Sequence, residues 1–428
     1  MTLAVPNLTT ALQGPLLHLE AHLLDNQMKV EAWLREQWLE TPAPFYASVD
    51  LRNAGFKLAP VDTNLFSAGF NNLSPSFMPL CVQAVQSAVE RVCPKAEKVL
   101  IVAENHTRNL FYLESLEVLR GIFEQAGIEA RIGSLRDDLT ETLLVELPSG
   151  KTCLLEPLTR VDDRVALGDY SPCLVLLNND LSGGRPVILE NLEQQVTPPL
   201  AAGWSNRKKS DHFDHYQTVA EEFAEQVGID PWLVSPLSLQ CGEVNFKERL
   251  GIECLSGNVA DLLGQIQAKY DQYGIEKEPF VVIKSDTGTY GMGIMMVKSA
   301  EEIENLNRKQ RNKMSSSKEG LEVENVLIQE GVYTFETIGD DNAVAEPVVY
   351  MIDHFVVGGF YRVHTGRGEN ENLNAPGMHF EPLAFAQSCN TPDKQGAPDD
   401  GPNRFYAYGV IARLALLAAA REIAEIKA

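Results

Sequence analysis

The sequence predicts an α/β or α+β protein with mixed sheets, and three observations carry that prediction. Helical and strand-like hydrophobic patterns alternate along all 428 residues. A β-α-β unit is written at 98–135: the apolar run KVLIVAE, a helical stretch ending at Gly127, then EARIGSL. A crossover of that length implies parallel strands. Near 281–297, VVIKSDTGTYGMGIMMV reads as two short apolar strands joined by a polar, glycine-rich loop.

The elements follow in order. Leucines at three-to-four spacing predict helix over 8–40, and TPAPF stops it. ASVDLRNAGFKLAPVDTN reads as a hairpin turning at Asn53-Ala54-Gly55. After the β-α-β unit, strands are predicted at 152–156 and 174–180, and a Gly/Pro-rich connection at 181–205. An amphipathic helix fills 210–227, with Ser210 or Asp211 as N-cap and Gly228 past its end. A second fills 258–273, and a mixed-charge helix covers 300–314. Strands at 325–332, 346–352 and 354–363 precede a polar loop and a final helix at 406–426. Three regions are expected: 1–95, 96–200 and 201–428.

Bulk properties narrow the function. A net charge of −23 argues against nucleic acid or an anionic membrane as the main partner. The seven cysteines are scattered, with no CxxC pair, so neither a zinc ribbon nor a disulfide framework is expected. MTLAVPNLTTALQGP lacks the pattern of a signal peptide, and LALLAAA is too short to span a bilayer. A cytoplasmic location follows as an expectation.

Four stretches can carry chemistry. Lys284 ends an apolar strand, where a cation has little reason to sit unless an anion meets it. Gly288, Gly291 and Gly293 would let backbone amides approach phosphate oxygens, and Asp286 could hold magnesium. The bland reading is a flexible hairpin loop. VLIQEGV ends a strand at Gln329-Glu330-Gly331-Val332, suited to a nucleotide base and ribose or simply to a turn. In WSNRKKSDHF, basic residues stand where a helix dipole disfavours them, which an anion would resolve; the alternative is a solvated turn. In APVDTNLFSAGFNNL, Asp62 and Asn64 share one face of a strand and are hard magnesium ligands, or else they close an Asx-turn.

Taken in order, these stretches resemble a known family. VVIKSDTGTYGMGIMMV, VLIQEGV and HFVVGGFYRVHTGRGENENLNAPG resemble the ATP-grasp fold of carboxylate–amine ligases. PVDTNLFSAGFNNL and NRKKSDHF resemble the metal strand and first ATP lysine of eukaryotic glutathione synthetases, which are circularly permuted. VDLRNAGFKLAPVDTNLFSAGFNNL with NNDLSGG and AGWSNRKKSDHF is most similar to a proteobacterial family of glutamate–cysteine ligases, over nearly the full length. The resemblance implies ATP-dependent joining of glutamate, through its γ-carboxylate and an acyl phosphate, to cysteine.

It also implies roles. Lys209 and Lys284 would bind ATP, with Gly288, Gly291 and Gly293 as lid and Gln329, Glu330 and Val332 around adenine and ribose. Asp62, Asn64 and Asp286 would ligate Mg²⁺, although the further metal-ligating glutamate of eukaryotic glutathione synthetases falls on Gly288 here. Arg52, Ser67, Asn71 and Arg367 would face the amino-acid substrate, and Lys284 and Arg362 would be catalytic. A glutathione synthetase, and a non-catalytic nucleotide sensor, are the alternatives. Partners are small molecules, with homo-oligomerisation left open.

Overall fold

The computed structural model describes residues 8–9, 15–105, 109–287, 293–315, 323–381 and 404–427. Gly288 and Gly291 therefore lie outside the described residues. Helices and strands alternate as the sequence pattern predicts, and the strands form three main sheets.

The largest is antiparallel and has seven strands. Its central strand, Ala343–Ile352, pairs with Phe355–His364 on one side. On the other side its second half pairs with Tyr46–Asn53, which turns into Leu58–Asn64. This hairpin brings the early Asp62 segment to strands formed some 300 residues later, where Glu346 and Arg362 stand. The final helix, Arg404–Lys427, packs on the hairpin and on the helix Lys209–Val227. Its stretch from Tyr406 to Ala420 is buried and apolar except for Arg413, which pairs with Glu31.

The second sheet has the order Gln195–Thr197, Leu174–Asn178, Lys98–Ala103, Glu129–Ser134, Thr152–Pro157, Leu143–Glu146. All but the last pairing are parallel. The third is a four-stranded antiparallel sheet, Ser238–Cys241, Val326–Glu330, Val281–Ser285, Ile294–Val297, backed by the helix Ile252–Tyr273.

Several sequence expectations change in detail. The first helix is two, Pro15–Asp25 and Gln27–Glu40, parted at Asn26. The 300–314 helix is also two, because Asn307 and Gln310 form a capping box that starts a new helix at Arg308. Met78–Val92, missed in the sequence, is a helix that buries Cys81, Ala84, Val85, Ala88 and Val89. The connection at 181–205 contains a strand of the second sheet. Among the described residues, no helix is long and apolar enough to cross a membrane.

Candidate functional site

Lys284 is 8% exposed, and its ammonium donates to Val61 O at 2.6 Å and to Gln329 Oε1 at 2.7 Å. It thus ties the strand below the glycine loop to the Asp62 hairpin, across two different sheets. Burial pushes its pKa down to about 8, with Asp62 opposing that fall. Gly293, where the loop rejoins its strand, has φ +63°, a conformation that favours glycine.

Beside Asp62 lies Lys209, its Nζ 3.1 Å from Oδ1 of Asp62 and 3.9 Å from the centre of the Trp204 ring. Burial works to raise the Asp62 carboxyl, but Lys209 and Lys284 outweigh it and hold the pKa at about 2. The hairpin register sets Asp50 opposite Asp62. Two like charges so placed repel, and the cations divide between them: Lys209 takes Asp62, while Arg362 donates to Asp50 at 2.8 Å and also to Glu346. Desolvation works against the Arg362 charge, yet these two carboxylates raise its pKa overall.

Two adjoining cavities open on this arrangement. One, of about 850 Å³, is lined by Lys284, Gln329, Val332, Arg52 and Met296. The other, of about 1920 Å³, is lined by Asn64, Asn71, Glu104, Asp180 and Phe360. Asp50, Asp62, Lys209, Arg362 and Asn374 belong to both walls. Residues far apart in sequence, Asp62, Lys209, Lys284 and Arg362, therefore meet at one place.

Other expected site residues do different work. Asp286 is 1% exposed; its Oδ1 accepts the Ser210 N–H and its Oδ2 the Ser210 hydroxyl, both at 2.8 Å. It caps the helix Lys209–Val227 from another segment, so Lys208, not Ser210 or Asp211, is the boundary residue and uses no side-chain cap. A carboxylate so engaged is a poor candidate for a metal.

Glu330, expected at the ribose, turns inward. Its carboxylate meets Lys57 Nζ at 2.6 Å, Trp232 Nε1 at 3.2 Å and the Leu237 N–H at 2.9 Å. Ser67 is fully buried and its hydroxyl donates back to Asn64 O, so it does not face a substrate. Asn64 closes the Asx-turn of the bland reading, accepting the Phe66 N–H at 2.9 Å, while still standing on the cavity wall. Arg52 is spoken for by Glu346, Val332 O and Glu371 O. Arg367 pairs with Glu371 at 2.7 Å in an adjoining hollow of about 920 Å³ that shares Asn372 and Asn374 with the first cavity.

Sequence reasoning missed Asp50, Glu346, Glu104 and Asp180. Asp50 had a signal, since it lies two residues before Arg52 on the same strand face. So did Glu346, a carboxylate inside the apolar run AVAEPVVYMI. Among the described residues, no group of three or more His, Cys, Asp and Glu side chains is arranged to hold a metal ion.

Comparison with known proteins follows the same lines. Residues 20–423 match the family model described as glutamate-cysteine ligase. A crystal structure from Methylobacillus flagellatus KT, bearing the provisional name gamma-glutamylcysteine synthetase, is 61% identical. It covers 99% of this chain and 100% of its own, with a TM-score of 0.92. A glutathione synthetase-like effector from Globodera pallida is 11% identical over 86% of this chain and 83% of its own, with a TM-score of 0.33. D-alanyl-alanine synthetase A from Vibrio cholerae is 9% identical over 74% and 80%, also at 0.33. Neither of these two distant likenesses is strong enough to argue from. No curated protein matches the chain. With a family match spanning nearly every residue, the chain belongs to the glutamate–cysteine ligase family.

Proposed function

We propose that the chain joins the γ-carboxylate of glutamate to the amine of cysteine at the expense of ATP, and that the smaller cavity takes the triphosphate. The observation that carries this reading is that Lys284 and Lys209 line one cavity with Asp62 and both stabilise its charge. In the order of its parts this resembles an ATP-grasp site, with a lysine strand, a glycine loop and a strand ending in Gln329.

A carboxylate does not acylate an amine in neutral water until it gains a leaving group. Attack of the γ-carboxylate on the terminal phosphorus of ATP forms an acyl phosphate and releases ADP. The cysteine nitrogen then forms a bond to the acyl carbon, phosphate leaves with the C–O electron pair, and the nitrogen loses a proton. Charge builds on the transferring phosphoryl group, and fixed cations in a partly dry cleft stabilise it. Lys284 and Lys209 fill that role; Gln329 positions Lys284 through its Oε1. Arg362, at the junction of the two cavities, would meet the reacting carboxylate.

The donors fit magnesium in part. Asp62 is held ionised with its side chain 42% exposed, and Asn64 presents an amide on the same wall. Magnesium asks the protein for only one or two such oxygens, with phosphates and water completing its shell. Asp62 and Asn64 would hold it, and when bound it would add positive charge beside the triphosphate. Asp286 fits this role poorly, for the reason given above.

ADP release measured with glutamate plus cysteine, and separately with γ-glutamylcysteine plus glycine, tests the reading. Turnover only with the first pair supports it. Turnover only with the second makes the protein a glutathione synthetase, and ATP binding without amino-acid-dependent ADP release makes it a sensor.

A further inference from the structure

The larger cavity has a polarity of its own. The second sheet reverses its strand order between Lys98–Ala103 and Leu174–Asn178. The chain steps from 98–103 to 129–134 and 152–157 on one side, then returns to 174–178 on the other. In open parallel sheets the connections diverge at such a reversal and leave a ligand crevice beyond the carboxyl ends of the two strands. Glu104 directly follows the first strand, and Asp180 stands two residues past the second. Ala103 and Asn178 are register partners, so both acids sit at the same end of the sheet. Both line the cavity, Glu104 at 9% and Asp180 at 6% exposure. The cavity is also lined by Lys209 and Arg362, which pair with Asp62 and Asp50 and are shared with the smaller cavity.

A glutamate has the matching pattern, with an ammonium at one end and the reacting γ-carboxylate at the other. The acceptor does not match, because its amine must be neutral to attack and neighbouring carboxylates would keep it protonated. We propose that Glu104 and Asp180 form the subsite for the α-ammonium of the γ-glutamyl donor, at the switch point of the second sheet. This rests on the smaller cavity being the triphosphate site. Asp180 also turns its own loop, since its Oδ1 accepts the Ser182 N–H at 2.9 Å. Asp180→Asn keeps that acceptor and removes only the charge.

Initial rates of the full chain with ATP, magnesium, glutamate and cysteine, each varied in turn, test this with Glu104→Gln and Asp180→Asn. A charged hydrogen bond to the ammonium predicts a rise of about 10- to 100-fold in KM for glutamate, with KM for ATP and cysteine within about twofold. Glutarate, which lacks the ammonium, gives the sharper readout: the preference for glutamate over glutarate, read as competitive inhibition, must shrink by about tenfold in either variant. An unchanged preference, or a rise confined to cysteine, overturns the assignment. Loss of turnover in the unsubstituted protein would instead remove the underlying reading, and this subsite with it.

A second inference stands on a separate observation. Cys241, on the strand Ser238–Cys241, and Cys254, in the first turn of the helix Ile252–Tyr273, have their sulfurs 3.7 Å apart. Cys254 is exposed and Cys241 buried, and neither is needed for the chemistry above. The geometry points to an oxidisable pair. Cys254, as thiolate, attacks a low-molecular-weight disulfide and releases one thiol; Cys241 then gives up its proton, attacks the Cys254 sulfur and releases the second. Burial pushes the Cys241 thiol up to about 11, which makes the second step the slower one.

Incubation with oxidised glutathione, alkylation and peptide mass spectrometry read the outcome. The pair predicts a 241–254 cross-linked peptide, lighter by two hydrogens than the two thiol peptides together and absent in Cys254→Ser. A lasting glutathione adduct on Cys254, or no modification at either position, overturns it.

Discussion

Lys57 and Glu330 form an ion pair of 2.6 Å with side chains 0% and 1% exposed. Lys57 lies on the loop of the Asp62 hairpin, and Glu330 ends the strand that carries Gln329, so the pair holds two walls of the smaller cavity together. Trp232 seals it, with the ammonium 4.2 Å from its ring centre and the indole N–H donated to the carboxylate. Removing one partner would strand a buried charge. Lys57→Met should therefore lower stability by about 3–5 kcal/mol, read as a shift in the urea midpoint. A loss under about 1 kcal/mol would place the pair among ordinary surface bridges.

Glu422 offers a pH test. It binds Arg207 in two places, at 2.7 and 2.9 Å, and His212 at 3.2 Å. Burial works to raise its pKa, but Arg207 and His212 outweigh it and hold the value near 2, below the ordinary 4.5. The folded state thus favours the ionised form, and the resulting stability is present above about 4.5 and lost as pH falls toward 2. At pH 7 Glu422→Gln should cost about 3 kcal/mol, and the gap from wild type should narrow steadily below pH 4.5. Denaturation at pH 7 and pH 3 measures it; a gap that does not narrow contradicts this account. Arg207 also donates to Thr63 O at 2.7 Å, so the same change should loosen the strand that bears Asp62.

Lys284 sets an alkaline limb. Its ammonium is the form that meets phosphate, and the free protein loses that proton at about pH 8. The value of kcat/KM for ATP should fall as pH rises through 8, and in Lys284→Arg the limb should move beyond pH 10 because guanidinium does not titrate there. A limb that stays in place would assign it to another group.

Asp286 separates a cap from a metal ligand. If it serves only the N-terminus of the Lys209 helix, Asp286→Ala should cost about 1–2 kcal/mol in stability. The magnesium concentration giving half-maximal rate should stay within about twofold of wild type, since a twofold change is under half a kcal/mol. A tenfold rise would return Asp286 to the metal.

How far the sequence could be read follows from the range of each interaction. Lys284 and Lys209 were visible because each breaks a local rule, a cation in an apolar strand and a basic residue at a helix start, and Asp62 because it shares a strand face with Asn64 as a hard metal ligand. Hydrophobic periods likewise located the helix at 209–227 and the parallel strands at 98–103 and 129–134. What failed depended on distant partners. The cap of the Lys209 helix comes from a residue 76 positions later, so the local candidates Ser210 and Asp211 misled. Glu330 looked free for a ribose because Lys57 lies 273 positions away. Glu104 and Asp180 become neighbours only once the second sheet reverses its strand order, which no local pattern records.

Lys284, held between Val61 and Gln329, is proposed to serve phosphoryl transfer from ATP to glutamate. ADP release in the presence of glutamate, cysteine and magnesium tests it most directly, comparing wild type with Lys284→Met while circular dichroism monitors the fold. The variant should stay folded and its rate should fall by at least about 100-fold, the scale of losing one fixed group that stabilises transition-state charge. A folded variant that releases ADP at near the wild-type rate would contradict it.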